Sequence, residues 1–253
     1  MTRPRSWWGL IALPLICSAL SAAPADQTAQ PGANPPPPEV SLPAEVAGVA
    51  LPQTPLARRA AAFVHQAEPE FLFNHSVRTY VFGALRLNAR HISYDAETAF
   101  VAALFHDLGL IPQYASPNAS FEVDGANRAE AFLRDNGAPA AAQRIAWNAV
   151  AMHDMGRAFE SHQGAEALLL GAGAGSDVDG PDPAAISPAT VATVLAAFPR
   201  RGFKLGFTAL AVDHCRRKPT SQAGWLDNLC REVSPNAERG SVREEIAGSS
   251  FAE

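Results

Sequence analysis

The sequence predicts an all-α protein, and three observations support this fold class. Alanine and leucine are abundant from Ala57 onward, no segment shows a sustained alternation of apolar and polar residues, and capping residues stand before apolar runs. The chain has 253 residues, which is enough for one domain with a well-buried core plus extensions. Its formal net charge of −5 includes no dense block of Lys and Arg, which argues against nucleic-acid binding.

Residues 1–25 have the pattern of a signal peptide. Two arginines precede an apolar run over residues 7–22, and the Ala-Pro-Ala at 23–25 matches a signal-peptidase site. The run is short for a membrane span and has no stop-transfer flank, so we expect an exported protein, periplasmic or extracellular, with no stable membrane span after cleavage. An uncleaved anchor helix is the alternative.

The rest of the chain divides by composition into three parts. Residues 26–56 are rich in proline, which favours extended polyproline conformations and predicts a linker. Residues 57–231 form the predicted helical domain. Residues 232–253 are polar and predict a flexible C-terminal tail.

Capping residues and helix breakers predict where the helices of the domain begin and end. Asn74 is placed to cap a helix over residues 75–90, and Asp95 is placed to cap a helix that Gly109 stops. A loop rich in Gly, Asp and Pro is expected over 173–183. The remaining helices are expected over residues 126–137, 139–154, 161–173, 187–199 and 203–218.

A His-Asp pair ends the apolar helix that Asp95 begins. His106 and Asp107 follow the run ALF, and neither group is tolerated in a helix interior without a partner. Neighbouring residues on a helix point about 100° apart. The two side chains can therefore share one ion only if the helix frays there, which Gly109 permits. We interpret their partner as a divalent metal ion.

A metal centre needs three or four ligands that converge, with one position open for water. His75 begins a predicted helix, and Asp177 and Asp179 in the predicted loop are two candidates for a further carboxylate ligand. Imidazole and carboxylate ligands suit zinc, which is the metal we expect first, with iron or manganese as alternatives.

The order His, His-Asp, Asp resembles the signature of the HD-domain superfamily of metal-dependent hydrolases, which fold as helical bundles. Within it, the segments FLFNHSVRTYVFG, AALFHDLGL, AMHDMG, GAGSDVDG and FPRRGFK look like those of the cyanamide hydratase group. This resemblance covers residues 69–215. It implies that the metal ligands are His75, His106, Asp107 and Asp177, with Asp179 as the competitor of Asp177.

The resemblance also implies roles for His153 and His162. In the hydratase group these positions look like pocket residues, so we expect both to act as catalytic acid or base groups or to orient the substrate. In other HD proteins, histidines in this region hold a second metal. That alternative would make both residues ligands, with Asp107 as the bridge.

The activity implied by the resemblance is that of a hydrolase or hydratase. A metal-bound water would attack a small-molecule substrate, such as the nitrile cyanamide. One alternative is a phosphohydrolase acting on a nucleotide or phosphoester, for which Arg78 and Lys204 are the cationic groups closest to the expected pocket. Another is a non-catalytic, metal-stabilised binding domain. Export favours a small neutral substrate over nucleotides.

Two cysteines remain after removal of the predicted signal peptide. Cys215 and Cys230 can form a disulfide in an oxidising compartment, or they can be two buried thiols on C-terminal helices. The sequence leaves both possibilities open.

Overall fold

A computed structural model describes residues 40–156, 161–221, 224–239 and 241–248. The predicted signal peptide and residues 26–39 of the predicted linker lie outside these residues. Among the described helices, none is both long and apolar enough to cross a membrane.

The described chain is a helical bundle with one short hairpin, which confirms the all-α prediction. Helix α3 is buried on all sides from Thr98 to Phe105 and lies at the centre of the core. The strands are β1 (Glu45–Val46) and β2 (Val49–Ala50), and the helices are α1 (Pro55–Ala67), α2 (Glu70–Asn88), α3 (Ala96–Phe105), α4 (Phe121–Asp135), α5 (Ala140–Ala151), α6 (Ala165–Asp179), α7 (Pro188–Ala197), α8 (Phe203–Arg217), α9 (Gly224–Val233) and α10 (Val242–Ala247).

The hairpin corrects part of the linker prediction. β1 and β2 pair antiparallel with Glu45 opposite Ala50, and Val46, Val49 and Leu51 are buried in the main core. These apolar side chains gain contacts with the bundle, so the segment packs although prolines flank it on both sides. At the other end of the chain, α10 lies within the predicted flexible tail.

Helix starts agree with the sequence only in part. Asp95 caps α3 as predicted, because its side chain accepts a hydrogen bond from Thr98 N. The predicted cap at Asn74 is wrong, since α2 begins one turn earlier, after Pro69. The Asn74 side chain instead donates to the carbonyl of Pro199, 2.9 Å away.

The predicted loop over 173–183 is wrong up to Asp179, because α6 continues to that residue, and only residues 180–183 lie outside the helix. Its glycines allow α6 to pack closely along α2. A Cβ added at Gly173 would lie 1.9 Å from the carbonyl oxygen of Thr79, and one at Gly83 would lie 2.2 Å from that of Leu169. Close backbone approach, and not a break in the helix, therefore explains these glycines.

The structure settles the state of the two cysteines. Cys215 and Cys230 form a disulfide that joins α8 to α9. Around it lies a second, smaller apolar cluster that includes Leu110, Phe121 and Leu226. The α8–α9 pair is thereby held against the end of the bundle where the histidines gather.

Candidate metal centre

Three buried side chains converge between α2 and the end of α3. His75 comes from the second turn of α2, and His106 and Asp107 directly follow α3. The Nε2 atoms of the two histidines are 3.2 Å apart, and each lies 3.3 Å from Asp107 Oδ2. Each of the three residues is at most 2% exposed. Together they form a group that could hold a metal ion.

The end of α3 has the local geometry that the sequence predicted. His106 still has helical dihedral angles, whereas Asp107 leaves the helix at φ −99° and ψ 0°. The two side chains can therefore point to one place. Gly109 has a different role from the one expected, because a Cβ there would lie 2.1 Å from the carbonyl oxygen of Phe121 on α4.

Hydrogen bonds at the far side of each ring fix both imidazole tautomers. His75 Nδ1 lies 2.7 Å from Asp177 Oδ2, and His106 Nδ1 lies 2.7 Å from the carbonyl oxygen of Ala103. Carboxylate and carbonyl oxygens only accept, so each Nδ1 donates and each neutral ring keeps its lone pair on Nε2. The two Nε2 lone pairs and Asp107 Oδ2 then face one another, and all three atoms are acceptors. The group therefore needs a cation or an added proton between them.

The spacing of these atoms fits a metal ion. In a tetrahedral zinc site with Zn–N bonds of about 2.0–2.1 Å, neighbouring ligand atoms are about 3.3–3.4 Å apart. The three observed separations are 3.2, 3.3 and 3.3 Å. The donor set is therefore compatible with a small divalent cation.

The charges of the group favour metal binding. Burial lowers the pKa of His106 to about 3, so this ring is neutral near pH 7. Burial acts to raise the pKa of Asp107, but His106 and His75 outweigh it and lower that pKa to about 2. For His75, hydrogen bonds to Asp107 and Asp177 outweigh burial and raise its pKa. A proton on His75 thus competes with a metal ion for the group.

Asp177 lies beside this group and not in it. Its Oδ1 accepts from Arg78 Nε at 2.7 Å and Arg200 Nη1 at 3.1 Å, and its Oδ2 accepts from Arg78 Nη2 and His75 Nδ1, both at 2.7 Å. These four bonds use the accepting capacity of the carboxylate. Burial acts to raise the pKa of Asp177, but bonds from Arg78 and then His75 hold it well below its usual range.

Three of the four predicted ligands therefore form the group, whereas Asp177 contacts it through His75 Nδ1. Arg78 lies three residues after His75 on the same face of α2, and its fully buried guanidinium donates two hydrogen bonds to the carboxylate of Asp177. The His-x-x-Arg spacing was the signal for this pairing. Asp179, the competitor, is exposed at the end of α6.

The two histidines predicted to be catalytic lie in different environments. His153 is 7% exposed, its Nδ1 lies 2.7 Å from the carbonyl oxygen of Val150, and its ring stands edge-on to His106 with centroids 5.0 Å apart. His162 is exposed in the turn before α6 and is not among the residues that line the cavity described next. The structure thus brings His153, but not His162, to the candidate site.

A cavity of about 280 Å³ opens onto the three candidate ligands. Phe121, Phe207 and Trp225 form the apolar part of the cavity wall, whereas Phe73 and Phe105 belong to the core. Phe207 and Trp225 come from the disulfide-linked helices, far along the chain from the histidine motifs. The described lining also includes Asp154 and Asp179, and it contains no Lys or Arg.

Comparison with known proteins adds no assignment. No protein-family model matches the chain, and no curated protein matches it.

Proposed function

We propose that this chain is a metal-dependent hydrolase or hydratase of the HD superfamily. It would activate water for attack on a small substrate, with a nitrile such as cyanamide as the first candidate. One observation carries the proposal: two imidazole lone pairs and a carboxylate oxygen meet within 3.3 Å at a buried point that opens to a cavity. Zinc suits this donor set, and iron or manganese are the alternatives.

The residues around the group would hold its ligands in the required form. Asp177 keeps the proton of His75 on Nδ1, and the Ala103 carbonyl does the same for His106, so that both Nε2 atoms stay available. A divalent ion held by these ligands supplies the Lewis acidity that lowers the pKa of water toward neutrality.

His153 is the candidate for proton transfer. Its Nδ1 donates to the Val150 carbonyl, which leaves Nε2 as a base. In the hydration of a nitrile, the water oxygen bonds to the nitrile carbon as one C≡N π bond breaks. His153 would take one proton from the water and deliver it to the nitrile nitrogen, which gives isourea, and transfer of the remaining O–H proton to the same nitrogen then gives urea.

The charges of the cavity favour this reaction class over phosphoester hydrolysis. A phosphate needs cationic groups, but the described lining carries Asp107, Asp154 and Asp179 without a Lys or Arg. Arg78, one of the cationic candidates, is buried in its pair with Asp177. The size of the cavity also favours catalysis over a metal-stabilised binding domain, since it leaves space for water and a small substrate beside the ligands.

The test is metal analysis of the purified full chain by inductively coupled plasma mass spectrometry. We expect close to one metal ion per chain, its loss in His106→Ala, and its retention in the matched control His65→Ala, since His65 is exposed. Absence of metal after reconstitution with zinc, iron and manganese would overturn the proposal. So would a metal-loaded chain that forms no urea from cyanamide and hydrates no other small nitrile.

A further inference from the structure

The chain segment between α7 and α8 is bound to α2 on both sides of His75. Asn74 donates a hydrogen bond to the carbonyl oxygen of Pro199 at 2.9 Å. Arg78 Nη1 donates to the carbonyl oxygens of Phe198 and Pro199, at 3.1 and 3.2 Å. Asn74 and Arg78 are buried, so these bonds hold the segment against the part of α2 that carries the candidate ligand.

A tight turn at residues 200–203 joins this segment to α8. Phe203 N donates to the carbonyl oxygen of Arg200 at 2.8 Å. Between them, Arg201 and Gly202 have φ angles of 46° and 77°, and positive φ at both central residues is the pattern of a type I′ turn. For an arginine this conformation is uncommon, and it persists only where contacts with the surrounding structure hold it. The turn brings the side chains of Arg200 and Phe203 together, with the guanidinium carbon 4.6 Å from the ring centroid.

Arg200 is connected to His75 by two routes. The first is the ring of Phe203, which stacks on the imidazole with centroids 4.6 Å apart and planes 30° apart. The second is Asp177, whose carbonyl oxygen and Oδ1 accept bonds from Arg200 Nη1 at 2.9 and 3.1 Å. Oδ2 of the same carboxylate lies 2.7 Å from His75 Nδ1. One guanidinium therefore restrains both the ring that covers His75 and the carboxylate that orients it.

We propose that Arg200 is a positioning residue of the candidate metal centre, which fixes the orientation of the His75 imidazole through Phe203 and Asp177. Arg200 is not among the described residues that line the cavity, so this role is separate from contact with a substrate. An imidazole that is already oriented loses little freedom when it binds a metal ion, and this strengthens the affinity. As a statement about metal binding, the inference rests on the proposed function.

Arg78 contacts the same two groups, but Arg200 is the better residue to change. The guanidinium carbon of Arg78 lies 5.7 Å from the centroid of Phe203, and its nitrogens bind Asp177. Because Arg78 is fully buried, its loss would disturb the fold. The side chain of Arg200 is 30% exposed, so a shorter polar side chain can be hydrated at that position.

Arg200→Gln tests the proposal, with Arg201→Gln as the matched control. The first substitution removes the cation from the face of Phe203 and weakens the hold on Asp177. The second makes the same change one residue later in the same turn, but the Arg201 side chain pairs with the exposed Glu70 at 3.0 Å. A difference between the two variants therefore reports the contacts of Arg200 and not the turn itself.

The first measurement is nuclear magnetic resonance of the metal-free full chain with isotope-labelled histidine. The carbon-bound ring protons of His75 are assigned by their absence from the spectrum of His75→Gln. The ring current of Phe203 shifts these protons upfield, so they report the stacking, while the ring nitrogen shifts report any change in protonation. We expect Arg200→Gln to move the proton signals downfield and Arg201→Gln to leave them at their wild-type positions.

The second measurement is zinc affinity, determined by competition with a chelator. We expect Arg200→Gln to bind zinc about tenfold more weakly than wild type, as is typical when a partner of a metal ligand is lost. Arg201→Gln should stay within about twofold, as for other exposed substitutions. Leu133→Ala controls for stability, because Leu133 is buried on α4 about 18 Å along the helix from Phe121. This variant should be less stable but should keep the zinc affinity of wild type.

Unchanged His75 signals in Arg200→Gln would overturn the proposal. So would a zinc affinity in Arg200→Gln that is no lower than that of Arg201→Gln, or one that falls equally in Leu133→Ala. A wild-type chain that binds no metal, but whose His75 signals move in Arg200→Gln alone, would refute the proposed function and leave the positioning of His75 by Arg200 standing.

Discussion

Asp177→Asn tests whether this carboxylate positions a ligand or binds the metal itself. The substitution keeps the shape of the side chain but replaces one accepting oxygen by an amide that donates. Whichever way the amide turns, its NH₂ group faces N–H donors of Arg78 and either His75 or Arg200. His75 can then lose the bond that keeps its proton on Nδ1.

The expected effect has two parts. Loss of a group that orients a metal ligand weakens metal binding by about 10–100-fold, which is about 1.4–2.7 kcal/mol. The metal-free protein is also destabilised, because Arg78 is fully buried and breaking such an ion pair costs about 3–5 kcal/mol. The metal affinity is measured by competition with a chelator of known affinity, and stability by urea denaturation with and without metal.

Asp179→Asn is the control, since its carboxylate is exposed, and its metal affinity should stay within twofold of wild type. Two results would refute the reasoning. Wild-type metal affinity in Asp177→Asn would show that the bond to His75 does not matter for the centre. Complete loss of metal from Asp179→Asn would transfer the ligand role to Asp179.

Three further predictions concern packing, the disulfide and pH. Gly173→Ala should destabilise the protein by about 1–3 kcal/mol or more, because α2 leaves no space for the added Cβ. In the control variant Gly175→Ala the Cβ meets nothing within 4 Å, so this substitution should be neutral or stabilising. Urea denaturation measures both changes. Reduction of Cys215–Cys230, which are 15 residues apart, should cost about 3 kcal/mol on the chain-entropy scale, as denaturation with and without a reductant will show. In the metal-free protein, the raised pKa of His75 adds stability that is complete below about pH 6.5 and is lost as pH rises through the folded-state pKa. The difference in free energy of unfolding between wild type and His75→Gln should therefore shrink as pH rises over that range. A difference that changes little with pH would mean that His75 stays neutral.

The part of the site that the sequence predicted well depends on local geometry. An apolar helix that ends in His106-Asp107 must either pair these groups or expose them, and the order of His75, His106 and Asp107 along the chain identified the three residues that meet. Asp95 was predictable for the same reason, since a cap depends only on the next three residues.

The errors arise where a distant contact decides the outcome. A glycine-rich run is compatible with a loop or with a helix that another backbone approaches closely, and only the position of Thr79 on α2 shows that Gly173 is of the second kind. Similarly, the pairing of Asp177 with Arg78 depends on how α6 packs against α2, and the ligation of a metal by Asp177 stays a prediction. Phe207 and Trp225 line the cavity only because α8 and α9 fold back against the bundle, and no local sequence pattern predicts that packing.

The packing of α2 on α6 and the candidate metal centre depend on each other. Gly83 and Gly173 bring the two backbones into contact, and the same approach carries Asp177, one turn beyond Gly173, to His75 and Arg78. A methyl group at position 173 would push α6 away from α2 and lengthen the bond of 2.7 Å between Asp177 and His75. Gly173→Ala should therefore lower the metal affinity as well as the stability, although Gly173 touches none of the proposed ligands. A variant that lost stability but bound metal like wild type would show that the two helices position His75 independently of Asp177.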